Sequence, residues 1–262
     1  MLAVTGKGGV GKTTLSALIL QHLLRGGLTP LLAIDADSNA NLAEALGVEC
    51  PTSVGSLREE ALGRVAAAGG TGPGLGSGVA KSEWLEYRLQ ESVVEEQGFD
   101  LLAMGRPEGP GCYCFANNVL REAVHRLASS YRCLVIDNEA GMEHLSRRTV
   151  EKVDCLLAVS DASVRGIRTA GRIGQVVEEM QARVAHRYLV INRAEPDQPL
   201  APALARAAAE LDMPLAAVLP SDPAVARMDA GGMTVDAIPL TSPLRQAVGV
   251  LVDQLLEPLT HV

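Results

Sequence analysis

Two short stretches of the sequence hold residue types whose spacing can do chemistry. Residues Gly6–Thr13 read G-K-G-G-V-G-K-T and fit the phosphate-loop pattern G-x-x-x-x-G-K-[ST] without a mismatch. Further along, Cys112 and Cys114 are separated by one residue, and two thiolates at that spacing can bind a soft metal ion. The sequence therefore predicts a phosphate site and a candidate metal site.

The phosphate loop predicts a nucleoside triphosphate bound with Mg²⁺. Glycines let successive backbone N–H groups converge on phosphate oxygens, and the start of the following helix adds its positive dipole end. Lys12 is expected to reach the β- and γ-phosphates, and the Thr13 hydroxyl to coordinate Mg²⁺. The residues expected to line the phosphates are Gly8, Gly9, Val10, Gly11, Lys12, Thr13 and Thr14. The alternative is a glycine turn that binds no ligand.

Acidic side chains follow two apolar runs, at the points where strands are expected to end. The run Pro30–Asp35 continues to Asp37, and Leu134–Asp137 ends in an acid, the pattern of a Walker B strand. Phosphoryl transfer depends on positioning and electrostatics, so a carboxylate here can orient water or hold the metal. Asp137 is expected to interact with Mg²⁺ directly or through water. For Asp35 and Asp37 the alternative is a pair of turn or N-cap residues.

The cysteine pair supplies only part of a metal shell. Structural Zn²⁺ takes four ligands, and Ni²⁺ accepts four in a tetragonal arrangement. The remaining cysteines, Cys50, Cys133 and Cys155, occur singly. The same pair from a second copy of the chain would complete the set most simply, as in a symmetric dimer meeting at Cys112 and Cys114. A chance pair and a redox dithiol are the alternatives.

The charge and hydropathy of the sequence disfavour nucleic acid and membrane as partners. The 262 residues carry a net charge of −8, which disfavours sequence-independent nucleic-acid binding because that needs Lys and Arg to neutralise phosphates. No apolar run reaches the ~18–20 residues that span a bilayer. The N-terminus leads straight into the phosphate loop without a signal-type segment, so a cytoplasmic protein is expected.

Short apolar runs alternate with helical segments along the chain. This predicts a single α/β domain with a doubly wound, mostly parallel sheet whose ligands bind beyond the carboxyl ends of the strands. The expected strands are Met1–Thr5, Pro30–Asp35, Phe99–Met104, Arg132–Asp137, Cys155–Ser160, Tyr188–Asn192 and Leu215–Leu219. The expected helices include Thr13–Arg25, Lys81–Gln97, Asn117–Ser129, Ile167–Arg183 and Pro202–Leu211. A glycine-rich flexible segment is expected around 69–82, and a metal-binding loop at 109–116.

The stretch Gly6–Thr14, GKGGVGKTT, resembles the signature of the deviant-Walker ATPases, the family of nitrogenase iron protein and the Min and Par ATPases. The resemblance implies ATP as the nucleotide and a dimer with nucleotide at the interface. Lys7 of one subunit would contact phosphate bound by the other. Asp37 would position and activate the attacking water, while Asp35 would support the Mg²⁺ site.

The same resemblance assigns contacts to the nucleotide. The backbone N–H of Gly141 would meet the γ-phosphate, in a segment whose Glu143 and His144 have no assigned role. Asn192, followed by Arg193, would read adenine. Pro220 and Asp222 belong to a segment that matches the second base-contacting segment of the family.

A closer resemblance runs from Met1 to about residue 230, and residues 104–118 and 137–147 carry it. These stretches, MGRPEGPGCYCFANN and DNEAGMEHLSR, resemble the accessory ATPases of nickel-dependent carbon monoxide dehydrogenase (CooC-type) and their acetyl-CoA synthase relatives. The resemblance implies a metallochaperone that hydrolyses ATP. Cys112 and Cys114 would bind nickel or zinc across a homodimer, and the client would be an apo nickel enzyme. None of the histidines is expected to be a ligand.

Three other functions compete with this interpretation. A MinD/ParA-type positioning ATPase would need a basic DNA-contacting face or a basic C-terminal membrane helix, and Leu244–Val262 carries only Arg245 as a fixed cation. An iron–sulfur carrier or reductase would arrange its cysteines differently. A non-hydrolysing metal-binding scaffold would keep nucleotide as a structural ligand. No nucleic-acid or membrane partner is expected.

Overall fold

The computed structural model describes residues 1–37, 39–67, 78–105, 114–138, 152–179 and 183–257. Within these ranges the strands form one sheet with the order β3-β4-β2-β5-β1-β6-β7-β8. The strands are β1 (Leu2–Gly6), β2 (Leu31–Ala36), β3 (Val94–Glu95), β4 (Phe99–Ala103), β5 (Cys133–Asn138), β6 (Lys152–Asp161), β7 (Arg183–Ala194) and β8 (Leu215–Pro220). Neighbouring strands are parallel except for β3, which pairs with β4 in the antiparallel sense.

Helices cover both faces of this sheet. They are α1 (Lys12–Arg25), α2 (Asn41–Leu46), α3 (Val54–Ala67), α4 (Gly78–Ser92), α5 (Cys114–Ala128), α6 (Val164–Glu179), α7 (Pro202–Ala209), α8 (Pro223–Ala230) and α9 (Pro243–Leu256), with a short 3₁₀ helix at Val235–Ala237. Alternate residues of β1 show the two layers, because Val4 packs with α1 and α9 whereas Ala3 packs with α3, α4 and α5. Helices α6 and α7 pack beside β6 and β7 on the second face.

The central strands are buried because each has apolar side chains on both faces. Every residue of β1 and β2 is buried, and the apolar residues of the central strands contribute to two cores on opposite sides of the sheet. Parallel strands covered by helices on both sides have this continuous apolar character. The doubly wound, mostly parallel α/β fold expected from the sequence is thus confirmed. None of the described helices is long and apolar enough to cross a membrane.

Several predicted boundaries were wrong. The helix expected over Lys81–Gln97 ends at Ser92, and Val94 then pairs with Leu101 of β4. The helix expected to reach Arg183 is described only to Glu179, and Arg183 instead begins β7 opposite Lys152. In both places strand pairing with a neighbour outweighs local helix propensity.

Part of the glycine-rich segment expected to be flexible is helical. Helix α4 begins at Gly78, so residues 78–82 lie within a regular element, while residues 69–77 lie outside the described residues. Leu85 and Leu89, four positions apart on this helix, are buried in the core with α3 and α5. Tertiary packing of such an apolar stripe stabilises a helix despite glycine at its start.

Candidate nucleotide site

The phosphate loop connects the carboxyl end of β1 to the start of α1. Gly6 closes β1 against β6, and a Cβ atom on it would lie 2.3 Å from the backbone oxygen of Val159. Gly11 has a φ of +92°, and a Cβ there would lie 2.6 Å from Nδ2 of Asn192. Only glycine meets both demands without displacing its neighbours, so these two positions of the motif fit the local backbone.

The start of α1 is open for an anion. Gly11 is its N-cap residue and provides no side-chain hydrogen bond, so the first N–H groups of the helix have no side-chain cap. Lys7, Gly8 and Gly9 are exposed, whereas Lys12 is buried, with its Nζ donating to the backbone oxygen of Lys7 at 3.3 Å. Backbone N–H groups without a side-chain cap, the helix dipole and a lysine therefore converge on one loop, which is the chemistry of a phosphate site.

Asp137 lies at the end of β5, facing α1. The Ser16 hydroxyl donates to its Oδ1 at 3.1 Å, and the Thr13 hydroxyl is also hydrogen-bonded to it. The pKa of Asp137 is raised to about 6, because burial and, to a smaller extent, the nearby Asp35 charge raise it more than the Thr13 and Ser16 hydrogen bonds and the Lys12 charge lower it. A buried carboxylate beside a hydroxyl is the hard oxygen set that Mg²⁺ prefers, so Asp137 and Thr13 fit the predicted magnesium role.

Asp35 has its carboxylate engaged by backbone groups. Its Oδ1 accepts from the N–H of Asp37 at 3.0 Å, and its Oδ2 accepts from Leu42 at 2.8 Å and Ala43 at 3.3 Å. The side chain is fully buried, and burial raises its pKa while these backbone hydrogen bonds oppose the rise. Asp35 thus holds the loop after β2 and the start of α2, beside its register partner Asp137. Its support of Mg²⁺ stays a prediction.

Asp37 lies two residues further, in the loop beyond β2. Its Oδ1 accepts from the backbone N–H and the side-chain Nδ2 of Asn39, at 2.9 and 3.2 Å. Its Oδ2 accepts from Nδ2 of Asn41 at 3.0 Å. Two asparagines therefore orient the carboxylate at the edge of the sheet that carries the phosphate loop. These hydrogen bonds are of the kind expected if Asp37 were only a turn residue, which was the alternative to a catalytic role. The role of Asp37 in activating water stays a prediction.

Asn192, at the end of β7, contacts the phosphate loop directly. Its Nδ2 donates to the backbone oxygen of Val10 at 2.8 Å, and its Oδ1 accepts from the N–H of Arg193 at 2.9 Å. The side chain is only 6% exposed. Each end of the amide therefore already has one protein partner, so this side chain holds the loop. Its predicted reading of adenine is not tested by this contact.

A pocket of about 230 Å³ lies beyond the carboxyl ends of β7 and β8. It brings together the four residues predicted to contact the base, Asn192, Arg193, Pro220 and Asp222, and places Thr14 of the phosphate loop in the same wall. Two segments about 30 residues apart in sequence thus line one cavity next to the phosphate loop. The cavity is the candidate base site.

Asp222 is also held by the protein. It caps α8 by accepting from the N–H of Ala224 at 2.7 Å, and the Ser242 hydroxyl donates to its other oxygen at 2.5 Å. Burial raises the pKa of Asp222, but the hydrogen bonds from Ser242 and the backbone lower it more, so the pKa lies below its ordinary value. The carboxylate is therefore a charged wall of the candidate base site.

Some predicted site residues lie outside the described residues. These are Cys112 and Gly141, together with Glu143 and His144. Cys114 is the first residue of α5, and its side chain is also outside the description. Among the described residues no group of three or more Cys, His, Asp or Glu side chains could hold a metal ion.

Ser16 is a site residue that the motif did not identify. It is completely buried within α1 and donates to Asp137 from a position 121 residues away in sequence. A signal was present, because a serine between apolar positions of a buried helix needs a hydrogen-bond partner. Its position three residues after Thr13 places it on the same face of the helix.

A glycine-rich loop joining β1 to α1, with an acid at the end of β5, defines a nucleotide-binding protein of the P-loop class. Residues 1–235 match the model of the CobQ/CobB/MinD/ParA nucleotide binding domain, and the chain belongs to this family. It is 37% identical over 256 residues to an uncharacterized ATP-binding protein of Methanocaldococcus jannaschii, covering 98% of each chain. It is 33% identical over 183 residues to carbon monoxide dehydrogenase accessory protein CooC of Rhodospirillum rubrum, covering 68% of this chain and 69% of that protein.

Solved structures agree on the fold. The MinD cell division protein of Aquifex aeolicus superimposes with a TM-score of 0.64 at 22% identity, covering 97% of this chain and 96% of that one. The septum site-determining protein MinD of Pyrococcus horikoshii, solved with Mg-ADP, gives a TM-score of 0.65 at 19% identity, covering 99% of this chain and 97% of that one. At these identities the likeness shows a MinD/ParA-type P-loop fold.

Proposed function

We propose that the chain is an ATP-hydrolysing metallochaperone that carries nickel or zinc on Cys112 and Cys114. One observation carries the proposal. At the carboxyl end of β4 the N–H of Met104 donates to the backbone oxygen of Asp35 at 2.7 Å, so the chain leaves β4 beside the acidic loop of the nucleotide site, eight positions before Cys112 in sequence. Nucleotide-dependent movement of that loop would therefore act on the start of the cysteine-bearing segment.

The similarity to the accessory protein of carbon monoxide dehydrogenase supports the choice of client. That relative is 33% identical over 183 residues. The client we propose is an apo nickel enzyme, either carbon monoxide dehydrogenase or acetyl-CoA synthase. Two copies of this chain would each supply one Cys112 and Cys114 pair, and together the four thiolates would hold the metal as cargo.

Most parts of the proposed ATPase site are assigned to described residues. The N–H groups at the start of α1 and Lys12 bind the phosphates, and Thr13 and Asp137 hold Mg²⁺, which neutralises developing charge when bound. Asp37, oriented by Asn39 and Asn41, positions the attacking water. This geometry follows the division of labour in P-loop enzymes, where catalysis is positioning and electrostatics.

Two further residues complete the proposed hydrolytic site. Lys7 is exposed and contacts the phosphate held by a second copy. Gly141 offers its backbone N–H to the γ-phosphate. Loss of that phosphate releases the loops that hold it, which changes both the metal site and the surface presented to the client.

The candidate base site accommodates adenine. Asn192 and Arg193 border it on the side of β7, and Pro220 and Asp222 border it on the side of β8. After its bonds to Val10 and Arg193, the Asn192 amide keeps one N–H and one lone pair, which can pair with a base edge.

A MinD/ParA-type positioning ATPase is the second candidate, favoured by the shared fold. Such a protein would use a basic DNA-contacting face or a basic amphipathic membrane helix. Arg245 of α9 is instead buried, and it donates to Gln21 and to the backbone oxygen of Val235, each at 2.7 Å. The described part of α9 therefore has no exposed cation, whereas Asp253 is exposed.

Reconstitution of a client tests the proposal. Apo carbon monoxide dehydrogenase is incubated with nickel, ATP and the purified chain, and recovered activity is compared among variants. We expect recovery with the wild type and with Cys50→Ser, a matched cysteine control, and no recovery with Cys112→Ser/Cys114→Ser. Asp37→Ala should abolish ATP turnover and recovery while retaining ATP binding. Recovery at the wild-type level with Asp37→Ala would indicate a non-hydrolysing scaffold instead.

The positioning ATPase has its own readout in the same experiment. The protein is sedimented with anionic lipid vesicles and with duplex DNA, each with ATP and with ADP. ATP-dependent cosedimentation, together with full recovery of the client by the cysteine double variant, would replace the proposed function by the second candidate.

A further inference from the structure

One exposed face of α6 carries a line of arginines. Arg165, Arg168 and Arg172 are spaced three and four positions apart, so they lie above one another on the helix, and all three are exposed. Val176, a further turn along, continues the same face and is 42% exposed. The opposite face is buried through Ile167, whose neighbours belong to the core beside β6 and β7. We call the three arginines the α6 arginine stripe.

The α6 arginine stripe lowers the stability of the helix that carries it. The first turn of α6 contains no acidic residue, and positive charge near a helix N-terminus opposes the macrodipole. Like charges at spacings of three and four residues repel one another as well. Within the described ranges none of the three guanidinium groups forms an ion pair or a side-chain hydrogen bond.

Other arginines of the same chain do have acidic partners. Arg88 bonds to Glu60 and Glu91 at 3.0 and 2.7 Å, and Arg126 bonds to Glu86 at 2.5 Å. A chain with a net charge of −8 thus concentrates positive charge on one helix face, with no acidic partner among the described residues. Local charge that destabilises a helix and has no partner in this part of the chain points to an external anionic partner.

The stripe is rigidly connected to the phosphate loop. Helix α6 follows β6, whose Val159 pairs with Gly6. At the junction the N–H of Gly166 donates to the Ser163 hydroxyl at 3.0 Å, and that hydroxyl donates to Asp161 at 2.5 Å. A Cβ on Gly166 would lie 2.1 Å from Oδ1 of Asp161, so the helix start is packed onto the end of β6. A partner bound along the stripe would therefore lie next to the nucleotide edge of the sheet.

We propose that the α6 arginine stripe is the docking surface for an acidic segment of the partner protein, which under the proposed function is the client enzyme. Guanidinium groups bind carboxylates in a bidentate fork, and three of them on one helix face fit a short run of Asp and Glu side chains. Val176 extends the stripe with an apolar contact. Duplex DNA is the less suitable partner because its charge extends well beyond the stripe, where the rest of this acidic chain repels it, whereas a short acidic segment contacts the stripe alone.

Binding of a labelled decaglutamate peptide tests the stripe in the full-length chain. Fluorescence anisotropy at low salt compares the wild type with Arg165→Glu/Arg168→Glu/Arg172→Glu. The matched control changes the same charge elsewhere, at three exposed arginines, as Arg25→Glu/Arg206→Glu/Arg227→Glu. We expect the stripe variant to bind at least tenfold more weakly than wild type and the control to stay within about threefold. Thermal melting confirms that each variant is folded.

Several outcomes would overturn this proposal. They are no binding by the wild type, an equal loss in the stripe and control variants, and tighter binding of a 24-base-pair duplex that is lost only in the stripe variant. ATP turnover without a partner should be unchanged in the stripe variant, since the stripe lies outside the nucleotide site. Failure of the metallochaperone function would instead appear as client recovery by Cys112→Ser/Cys114→Ser, with peptide binding intact.

Discussion

The side-chain amide of Asn192 donates from Nδ2 to the backbone oxygen of Val10 at 2.8 Å, and this bond ties the end of β7 to the phosphate loop. Its other end accepts from the N–H of Arg193 at 2.9 Å. The two loops that border the candidate base site and the phosphate site are thus joined by one buried side chain. The residue predicted to contact adenine also fixes the shape of the loop that binds phosphate.

Asn192→Ala should weaken both the fold and nucleotide binding. The substitution leaves the Val10 oxygen and the Arg193 N–H without their partner, which costs about 1–3 kcal/mol of unfolding free energy for buried groups. If the amide chiefly holds the loop, the affinities for ATP and GTP should fall by the same factor. Denaturant unfolding and titration with fluorescent nucleotide analogues measure both quantities. A loss of affinity confined to ATP would show that the main role of Asn192 is to read the base. Asn39→Ala is the control for the loss of an asparagine elsewhere.

Asp137→Asn should stabilise the nucleotide-free, magnesium-free protein at neutral pH. Burial raises the folded pKa of Asp137 to about 6 from an ordinary value of 3.8, so the folded state binds this proton more tightly than the unfolded state. Stability therefore falls as the pH rises from about 4 to about 6, and the full penalty is present above that window. Asparagine removes this penalty. The free energy of unfolding of Asp137→Asn should therefore exceed that of the wild type by roughly 2–3 kcal/mol at pH 7 and equal it near pH 3.

Unfolding midpoints of wild type and Asp137→Asn across pH 3–8 measure this difference. The same variant should lose magnesium-dependent ATP binding, since the amide is a poorer ligand than a carboxylate. Ser16→Ala serves as the control, because it removes one hydrogen bond to Asp137 but keeps the titrating group. A difference in unfolding midpoint between wild type and Asp137→Asn that stayed constant with pH would contradict the explanation by a buried carboxylate.

Lys7 should act on the nucleotide of a second copy. Lys7→Ala is expected to leave the thermal stability of the chain unchanged, because the side chain is exposed, and to abolish ATP turnover. Lys12→Ala should be inactive because its own phosphate loop lacks the lysine. Mixing the two inactive variants should restore activity, since Lys12→Ala supplies its intact Lys7 to the site of its partner. Turnover of the mixture that stays at the level of either variant alone would show that Lys7 acts within its own subunit.

Local sequence patterns predict the phosphate loop and most strands of the sheet. They do not predict which residues distant in sequence contact one another. Gly6–Thr13 is contiguous, and every strand except the two-residue β3 contains a short apolar run, so the loop and these strands could be predicted from neighbouring residues. The bond between Ser16 and Asp137 joins positions 121 residues apart, and no local signal specifies that pairing. The resemblance to the deviant-Walker ATPases assigns Asn192 to the base, whereas its bond to Val10 depends on how β7 lies against the loop. The start of α4 at Gly78 depends on the burial of Leu85 and Leu89, which sequence spacing alone does not report.

Coupling between the nucleotide and the metal is the central claim, and a nickel titration tests it most directly. Nickel is titrated into Asp37→Ala, the variant expected to leave ATP unhydrolysed. The titration is done with ATP, with ADP and without nucleotide, and sedimentation gives the mass of the assembly at each step. We expect one nickel ion per two chains with ATP, at least tenfold weaker binding with ADP, and no binding when Cys112→Ser/Cys114→Ser is added to that background. One nickel ion per single chain, or the same affinity in every nucleotide state, would contradict the account.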